Sequence, residues 1–279
     1  MAVVVTLGLI IGGTYSSLEQ WVINDWISAE NVDVLRIAHR GASGYAPENT
    51  MAAFEQAYHM GADMIELDVQ LSSDGQVVVI HDTKVNRTSS GKGHVQNMTL
   101  NQLKQLDAGS WYSSKFRAQK IPTLDDVLQR FGGKIPLLIE LKTSVVNPGI
   151  EQKTAELIHK YVRDQSWATN GIIIQSFDVQ SLRKFHEILP NIPLSVLISR
   201  SSELKNGRLS EFAEFVQYLS ISRHVVTEAH VRMIQDAGMK VFVWDVRHLL
   251  DIPPLLNAKV NGIITDYPDI VPTDMYEQF

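Results

Sequence analysis

The sequence predicts an α/β chain folded as a (β/α)8 TIM barrel, with a small insertion after the second strand. Short β-branched runs alternate with amphipathic stretches from residue 34 onward, and that alternation calls for a parallel sheet covered by crossover helices. Eight such runs follow one another, the number that closes a barrel. The 279 residues and 44% apolar content supply core enough for a barrel of one domain.

The strand candidates are Val34–His39, Asp63–Gln70, Ile135–Lys142, Gly171–Ser176, Leu194–Ile198, Phe215–Ile221, Lys240–Val246 and Gly262–Thr265. Helical periodicity covers Met51–Met60, Leu124–Phe131, Gln152–Arg163, Val179–Leu189, Val225–Ala237 and Leu249–Leu256. Capping residues mark helix starts at Asn49 or Thr50, at Thr123, at Asp178 and at Ser222. One run breaks the rhythm: only five residues separate Gln76–Ile80 from the second strand. Parallel neighbours need a crossover of a dozen residues or more, whereas Ser72-Ser73-Asp74-Gly75 is a hairpin turn. Gln76–Ile80 therefore folds back antiparallel on an overlong second strand, which returns His81 to the barrel mouth beside Glu66 and Asp68.

The stretch 82–120 has no clear period and is rich in Ser, Asn and Gly. It reads as an insertion over the C-terminal mouth, where the sites of such barrels lie. Seven Lys and Arg stand there against Asp82 and Asp107, a local balance of +5 in a chain of net charge −6. Charge alone leaves two readings open, a solvated loop or a basic rim that draws in an anion. The negative total argues against a dedicated nucleic-acid binder. The absence of Cys excludes thiolate nucleophiles, disulfides and Cys-ligated metals.

Residues 1–33 form an apolar N-terminal segment ahead of the barrel domain at 34–279. The first 18 residues carry no charge, and Ala2–Gly13 is nearly all apolar. That run is short of the roughly 20 residues of a full membrane span, and no positive charge precedes it as in a signal peptide. It reads either as a helix docked on the domain or, with more weight, as the outer end of a membrane anchor.

Glu66 and Asp68, two apart on a strand, leave the same face. Two carboxylates aimed at one point repel unless a cation or a proton lies between them. Glu140 and Lys142 repeat the spacing at the end of the next barrel strand. Three carboxylates at a barrel mouth make an oxygen-rich site suited to one divalent cation, Ca2+ or Mg2+. His39 and His81 end strands beside it, and a pair of histidines there suggests a general base and a general acid. Neither is followed two residues later by a second His, which disfavours an amidohydrolase-type zinc site. Arg40 and Lys142 add positive charge for a phosphate, so the set suits phosphodiester cleavage. No P-loop, GxSxG elbow or GxGxxG turn is present.

The blocks His39-Arg40-Gly41, Pro47-Glu48-Asn49-Thr50, Glu66-Leu67-Asp68, His81-Asp82, Glu140-Leu141-Lys142, Gln175-Ser176-Phe177, Trp244 and Gly262-Ile263-Ile264-Thr265-Asp266 together resemble the glycerophosphodiester phosphodiesterase family. Single blocks are weak signals; the ordered set, from about residue 36 to 272, is specific. The resemblance implies hydrolysis of glycerophosphodiesters to sn-glycerol 3-phosphate and an alcohol, with a divalent cation on Glu66, Asp68 and Glu140. It implies His39 and His81 as the acid/base pair and Arg40, Lys142, Gln175 and Trp244 as substrate contacts, with Glu48 and Asn49 supporting the metal ligands from behind. It implies attack by the glycerol 2-hydroxyl to give a cyclic phosphate that water then opens, His39 deprotonating the nucleophile and His81 protonating the leaving alkoxide.

One block departs: the family commonly continues the tryptophan with Thr-Val-Asn, and here Asp245-Val246-Arg247 follows. An extra Arg near the rim would bear on which leaving groups are accepted. The spacing of the later blocks resembles bacterial members whose catalytic domain follows membrane helices, which supports an extracytoplasmic, membrane-associated setting over a cytoplasmic one. Two other readings remain. A barrel phospholipase of the phosphatidylinositol phospholipase C or sphingomyelinase D kind would act on intact lipids. A non-catalytic barrel would bind glycerophosphate polymers. The sequence does not settle the oligomeric state.

Overall fold

A computed structural model describes residues 34–143, 145–165, 171–205 and 207–272. Eight parallel strands are β1 (Leu35–Ala38), β2 (Met64–Leu71), β4 (Leu137–Leu141), β5 (Ile172–Ser176), β6 (Leu194–Ile198), β7 (Tyr218–Ser222), β8 (Lys240–Val246) and β9 (Gly262–Thr265). β1 pairs with β2 on one edge and β9 on the other, so the sheet closes into the expected (β/α)8 barrel. β3 (Val77–Val79) lies antiparallel on the far end of β2, as the hairpin turn requires. Val69 is a common member of both registers, paired with Val79 and with Leu141. β2 thus runs past the end of β1, and β3 fills the edge that β1 leaves open.

Period-2 alternation sorts the barrel side chains into two layers. Ile65, Leu67 and Val69 of β2 and Leu137, Ile139 and Leu141 of β4 pack in the large cluster that includes helix residues such as Phe54, Leu128 and Phe131. Met64, Leu138, Ile173, Ile37, Phe242 and Ile264 form a second, smaller cluster inside the barrel. The interior is tight there: a Cβ on Gly262 would stand 2.7 Å from the Phe242 ring. Above this apolar plug, the same faces of β2, β4 and β5 continue as Glu66, Asp68, Glu140 and Gln175, and the plug closes the site from below.

Helices connect the strands where the periodicity places them, at Met51–His59, Leu124–Phe131, Ile150–Gln165, Val179–Ile188 and Glu228–Asp236. Thr50, not Asn49, caps the first by accepting the Ala53 amide. Thr123 and Asp126 form a reciprocal capping box, and Asp178 caps through Gln180 and Ser181. Three expectations need correction. Ser222 caps no helix; its Oγ takes the His224 amide, and Thr227 caps Glu228–Asp236. Phe215 and Val216 lie outside β7, because their amides close the turn onto the Phe212 carbonyl after a short helix at Arg208–Ala213. Leu249–Leu256 is split into a 3-10 turn at Leu249–Asp251 and a helix at Ile252–Asn257. Pro253 and Pro254 lack the amides that one continuous helix would need, and are tolerated in a first turn.

The insertion is more ordered than its composition suggests. It holds a helix at Leu100–Gln105 with a Thr99–Gln102 capping box. Val85, Val95, Leu103 and Ala108 form a separate apolar core with Val78, Ile80 and Ile121. The expected N-terminal segment 1–33 lies outside the described residues. Among those described, no helix is long and apolar enough to cross a membrane.

Leu103 is fully buried in the insertion core. Leu103→Ala should therefore cost about 2–4 kcal/mol of local stability, seen as faster protease cleavage within 82–120 while the barrel's thermal transition moves little. Equal loss at both sites would show that the insertion and barrel unfold together.

Candidate active site

The β2 and β4 register fixes the centre of the site. Asp68 is the Cα partner of Glu140, and Glu140 of Gln175. Glu66, Asp68 and Glu140 are all buried, and each offers a carboxylate oxygen within 4.8 Å of the others. Such a trio fits a hard divalent cation in both donor type and spacing. Its electrostatics ask for one. Burial first, then Asp68 and Glu140, push Glu66 well above the usual carboxylate range. Burial also raises Glu140 to about 7, against the pull of Lys142.

The positive charges close on the same carboxylates. Lys142 Nζ stands 2.7 Å from Asp68 Oδ1 and 2.6 Å from Glu140 Oε1. Arg40 Nη1 donates to Glu48 Oε1 at 2.8 Å, and its Nε is 3.4 Å from Asp68 Oδ2. Burial acts against Asp68's charge, but Lys142, Arg40 and His81 hold its carboxyl far below the usual range. The Arg40 backbone amide also donates to Glu66 Oε2 at 2.8 Å. It can do so because the chain turns sharply: Arg40 and Gly41 have φ of +57° and +78°. Gly41 is required at that point. A Cβ there would lie 2.6 Å from the Ala53 carbonyl carbon, in a backbone conformation that side chains resist.

Behind the carboxylates, Asn49 holds Asp68 at both ends, donating to Oδ2 at 2.7 Å and accepting the Asp68 amide at 3.2 Å. The Gln175 amide nitrogen donates to Glu66 Oε1 at 3.2 Å, and its oxygen accepts from Ser220 at 3.1 Å. Trp244 donates its indole N–H to the Ser220 carbonyl and meets Phe177 edge to face.

Both histidines are backed by an aspartate. His39 Nδ1 lies 2.6 Å from Asp266 Oδ1, and His81 Nδ1 lies 2.7 Å from Asp82 Oδ1. A carboxylate at Nδ1 places the proton there in the neutral ring and leaves Nε2 for chemistry. Burial pushes His81 below the usual histidine range, with Lys142 and Arg40 adding to it against Asp68.

Each aspartate is in turn gripped by an arginine. Arg87, from the insertion, forks onto Asp82 and Glu48, with Nη1 2.6 Å from Glu48 Oε2 and Nε 2.8 Å from Asp82 Oδ2. Arg247 Nε is 2.7 Å from Asp266 Oδ2. Arg87 and Asp266 were not among the residues expected at the site, and Arg247 was expected only near the rim, as an influence on leaving groups. Asp266 left a signal, since it directly follows β9, the strand adjoining β1. Arg87 showed only as one of the insertion's basic residues, because its partner Glu48 is 39 positions away. Of the basic insertion, Lys104 is also committed, to Asp126 at 2.6 Å.

The model of the glycerophosphoryl diester phosphodiesterase family matches residues 39–270, which takes in every group described above. The chain belongs to this family. Bacillus subtilis YhdW is 44% identical over 239 residues, covering 85% of this chain and 96% of that one. A glycerophosphodiester phosphodiesterase from Caldanaerobacter subterraneus is 39% identical, over 84% of this chain and 95% of its own. Among solved structures, an Oleispira antarctica phosphodiesterase in complex with the product sn-glycerol-3-phosphate superposes with a TM-score of 0.74 at 30% identity. That match covers 83% of this chain and 92% of the other. A glycerophosphodiester phosphodiesterase from Agrobacterium tumefaciens gives a TM-score of 0.68 at 28% identity, over 84% and 96%.

Asp266 makes the pH dependence testable. Burial would raise its carboxyl, but His39, Arg247 and Ser43 outweigh this and hold it at about 2. A depressed carboxylate stabilises the fold above its unfolded value near 4, and the gain is lost as pH falls toward 2. Asp266→Asn should therefore cost about 2 kcal/mol of unfolding free energy near pH 6. The gap from the parent should narrow steadily between pH 4 and pH 3 in urea titrations. A gap independent of pH would refute the assignment.

Proposed function

We propose that this protein hydrolyses glycerophosphodiesters to sn-glycerol 3-phosphate and an alcohol, using a divalent cation and a pair of aspartate-backed histidines. The observation that carries it is the meeting of three buried carboxylates, two cationic side chains and both histidines at one end of a barrel of this family. The product named in the Oleispira antarctica complex supports the choice of substrate class.

Glu66, Asp68 and Glu140 would hold the cation, of the Ca2+ or Mg2+ kind. Bound there, it would polarise the phosphate oxygens and offset the charge that grows on them in the transition state. Arg40 and Lys142 place a guanidinium and an ammonium against the same carboxylates, where the two can meet a phosphate. Asn49 and Gln175 keep Asp68 and Glu66 from rotating away.

In the first step, the glycerol 2-hydroxyl oxygen bonds to phosphorus as the bond to the alcohol oxygen breaks. His39 takes the hydroxyl proton and His81 supplies a proton to the departing alkoxide. The lowered basicity of His81 suits it to giving that proton up. In the second step, water adds to the cyclic phosphate and the bond from phosphorus to the 2-oxygen breaks, the histidines exchanging roles. The uncharged first 18 residues favour an extracytoplasmic, membrane-associated setting for this chemistry, which cell fractionation would test.

Release of sn-glycerol 3-phosphate from glycerophosphocholine checks the reading. Glu66→Ala and His81→Ala should each lower turnover by roughly a thousandfold or more, with the circular dichroism spectrum unchanged. EDTA should abolish turnover in the parent, and Ca2+ or Mg2+ should restore it. Full turnover in both variants would overturn the proposal. Faster cleavage of diacylated than of deacylated substrates would replace it with the phospholipase reading.

A further inference from the structure

Arg247 does not stand free at the rim. Its Nε is 2.7 Å from Asp266 Oδ2, and its Nη2 is 2.8 Å from Asp245 Oδ2. The opposite oxygen of Asp266 faces His39 Nδ1 at 2.6 Å. Ser43 Oγ sits between the two, 2.9 Å from Asp266 Oδ1 and 2.8 Å from the His39 carbonyl, with its one proton to donate to either. Both carboxylate oxygens are therefore engaged, one by the imidazole and hydroxyl, the other by the guanidinium.

A carboxylate shared in this way is fixed in its plane, and it pulls less on the imidazole proton than an unopposed one would. Exposure grades along the chain of contacts, with side chains 12% exposed at His39, 16% at Asp266 and 50% at Arg247. A half-exposed ion pair adds little to stability, so stability alone does not account for an arginine spanning two carboxylates at this point.

We propose that Arg247 is a positioning residue for His39. It grips Asp266 from behind, fixes the carboxylate that orients the imidazole, and tempers that carboxylate's hold on the imidazole proton. The inference rests on the role given to His39 above, and it places Arg247 in the proton-handling machinery in place of the expected effect on leaving groups. Other charged or titratable groups face the same point. They are Arg40, next in the chain to His39; Glu66, which accepts the Arg40 amide; Asp245; and the phenols of Tyr112 and Tyr267 near Asp266. All of them are kept in the variants below.

The test compares the full chain with Arg247→Met and Arg247→Lys, divalent ion present. Loss of the positive charge should make the His39 imidazole take up its proton at higher pH, by roughly half a pH unit. The readout is nitrogen-15 NMR, with the His39 signal assigned by its absence in His39→Gln. Arg247→Lys restores the charge without the fork and should fall between. In kcat/KM against pH, Arg247→Met should move one limb upward by the same amount and leave the other in place.

An unmoved His39 titration in Arg247→Met would overturn the proposal, whatever the rate does. The spectra need no turnover. A moved titration with an unmoved rate profile supports the relay and counts instead against the role of His39 in the reaction.

Discussion

Burying three carboxylates within 4.8 Å of one another is the constraint that orders the rest of this molecule. No cluster of that kind survives in a barrel interior without compensating charge and hydrogen bonds. The compensation comes from every side: Lys142 from above β4, Arg40 from the turn after β1, Asn49 from the loop beyond it, and Gln175 from β5. Those partners are held in turn by Glu48, Arg87 and Ser220. The left-handed turn at Arg40-Gly41 belongs to the same constraint, because only that turn aims a backbone amide at Glu66.

The parts that sequence made legible are those governed by short periods. Glu66 and Asp68 share a face because strands repeat every two residues, and His81 returns because a four-residue turn permits only a hairpin. The eight strands follow from one rhythm sustained along the chain. What escaped was set by distance along the chain or by irregular spacing. Asp266 reaches His39 across 227 positions, a contact that no local pattern announces. The insertion core draws on residues from Val78 to Ile121 with no common period, so composition left a solvated loop and a basic rim equally open and announced no core. Helix boundaries failed where backbone chemistry overrode periodicity, as at Pro253-Pro254.

The two histidines share an architecture that the linear motifs conceal. Each has an aspartate at Nδ1, and each aspartate is capped by an arginine from a different part of the chain. On one side that arginine belongs to the insertion, so the segment over the mouth is fastened to the groups it covers. On the other it follows β8, in the block that departs from the family's usual wording.

The β2–β3 hairpin carries two of the three clustered carboxylates on a paired strand and delivers one histidine just past its end. Strand pairing counts residues strictly, and a shift of one place sends every side chain to the opposite layer. Loss or gain of a single codon at the start of β2, ahead of Glu66, would thus turn Glu66 and Asp68 toward the helices and apolar side chains into the mouth. The stretch from 82 to 120 is bound by no such count. Length variation among descendants of this gene should therefore collect in the cover and spare the hairpin. The cover can drift in size while the clustered carboxylates and the histidine beside them are inherited as a block.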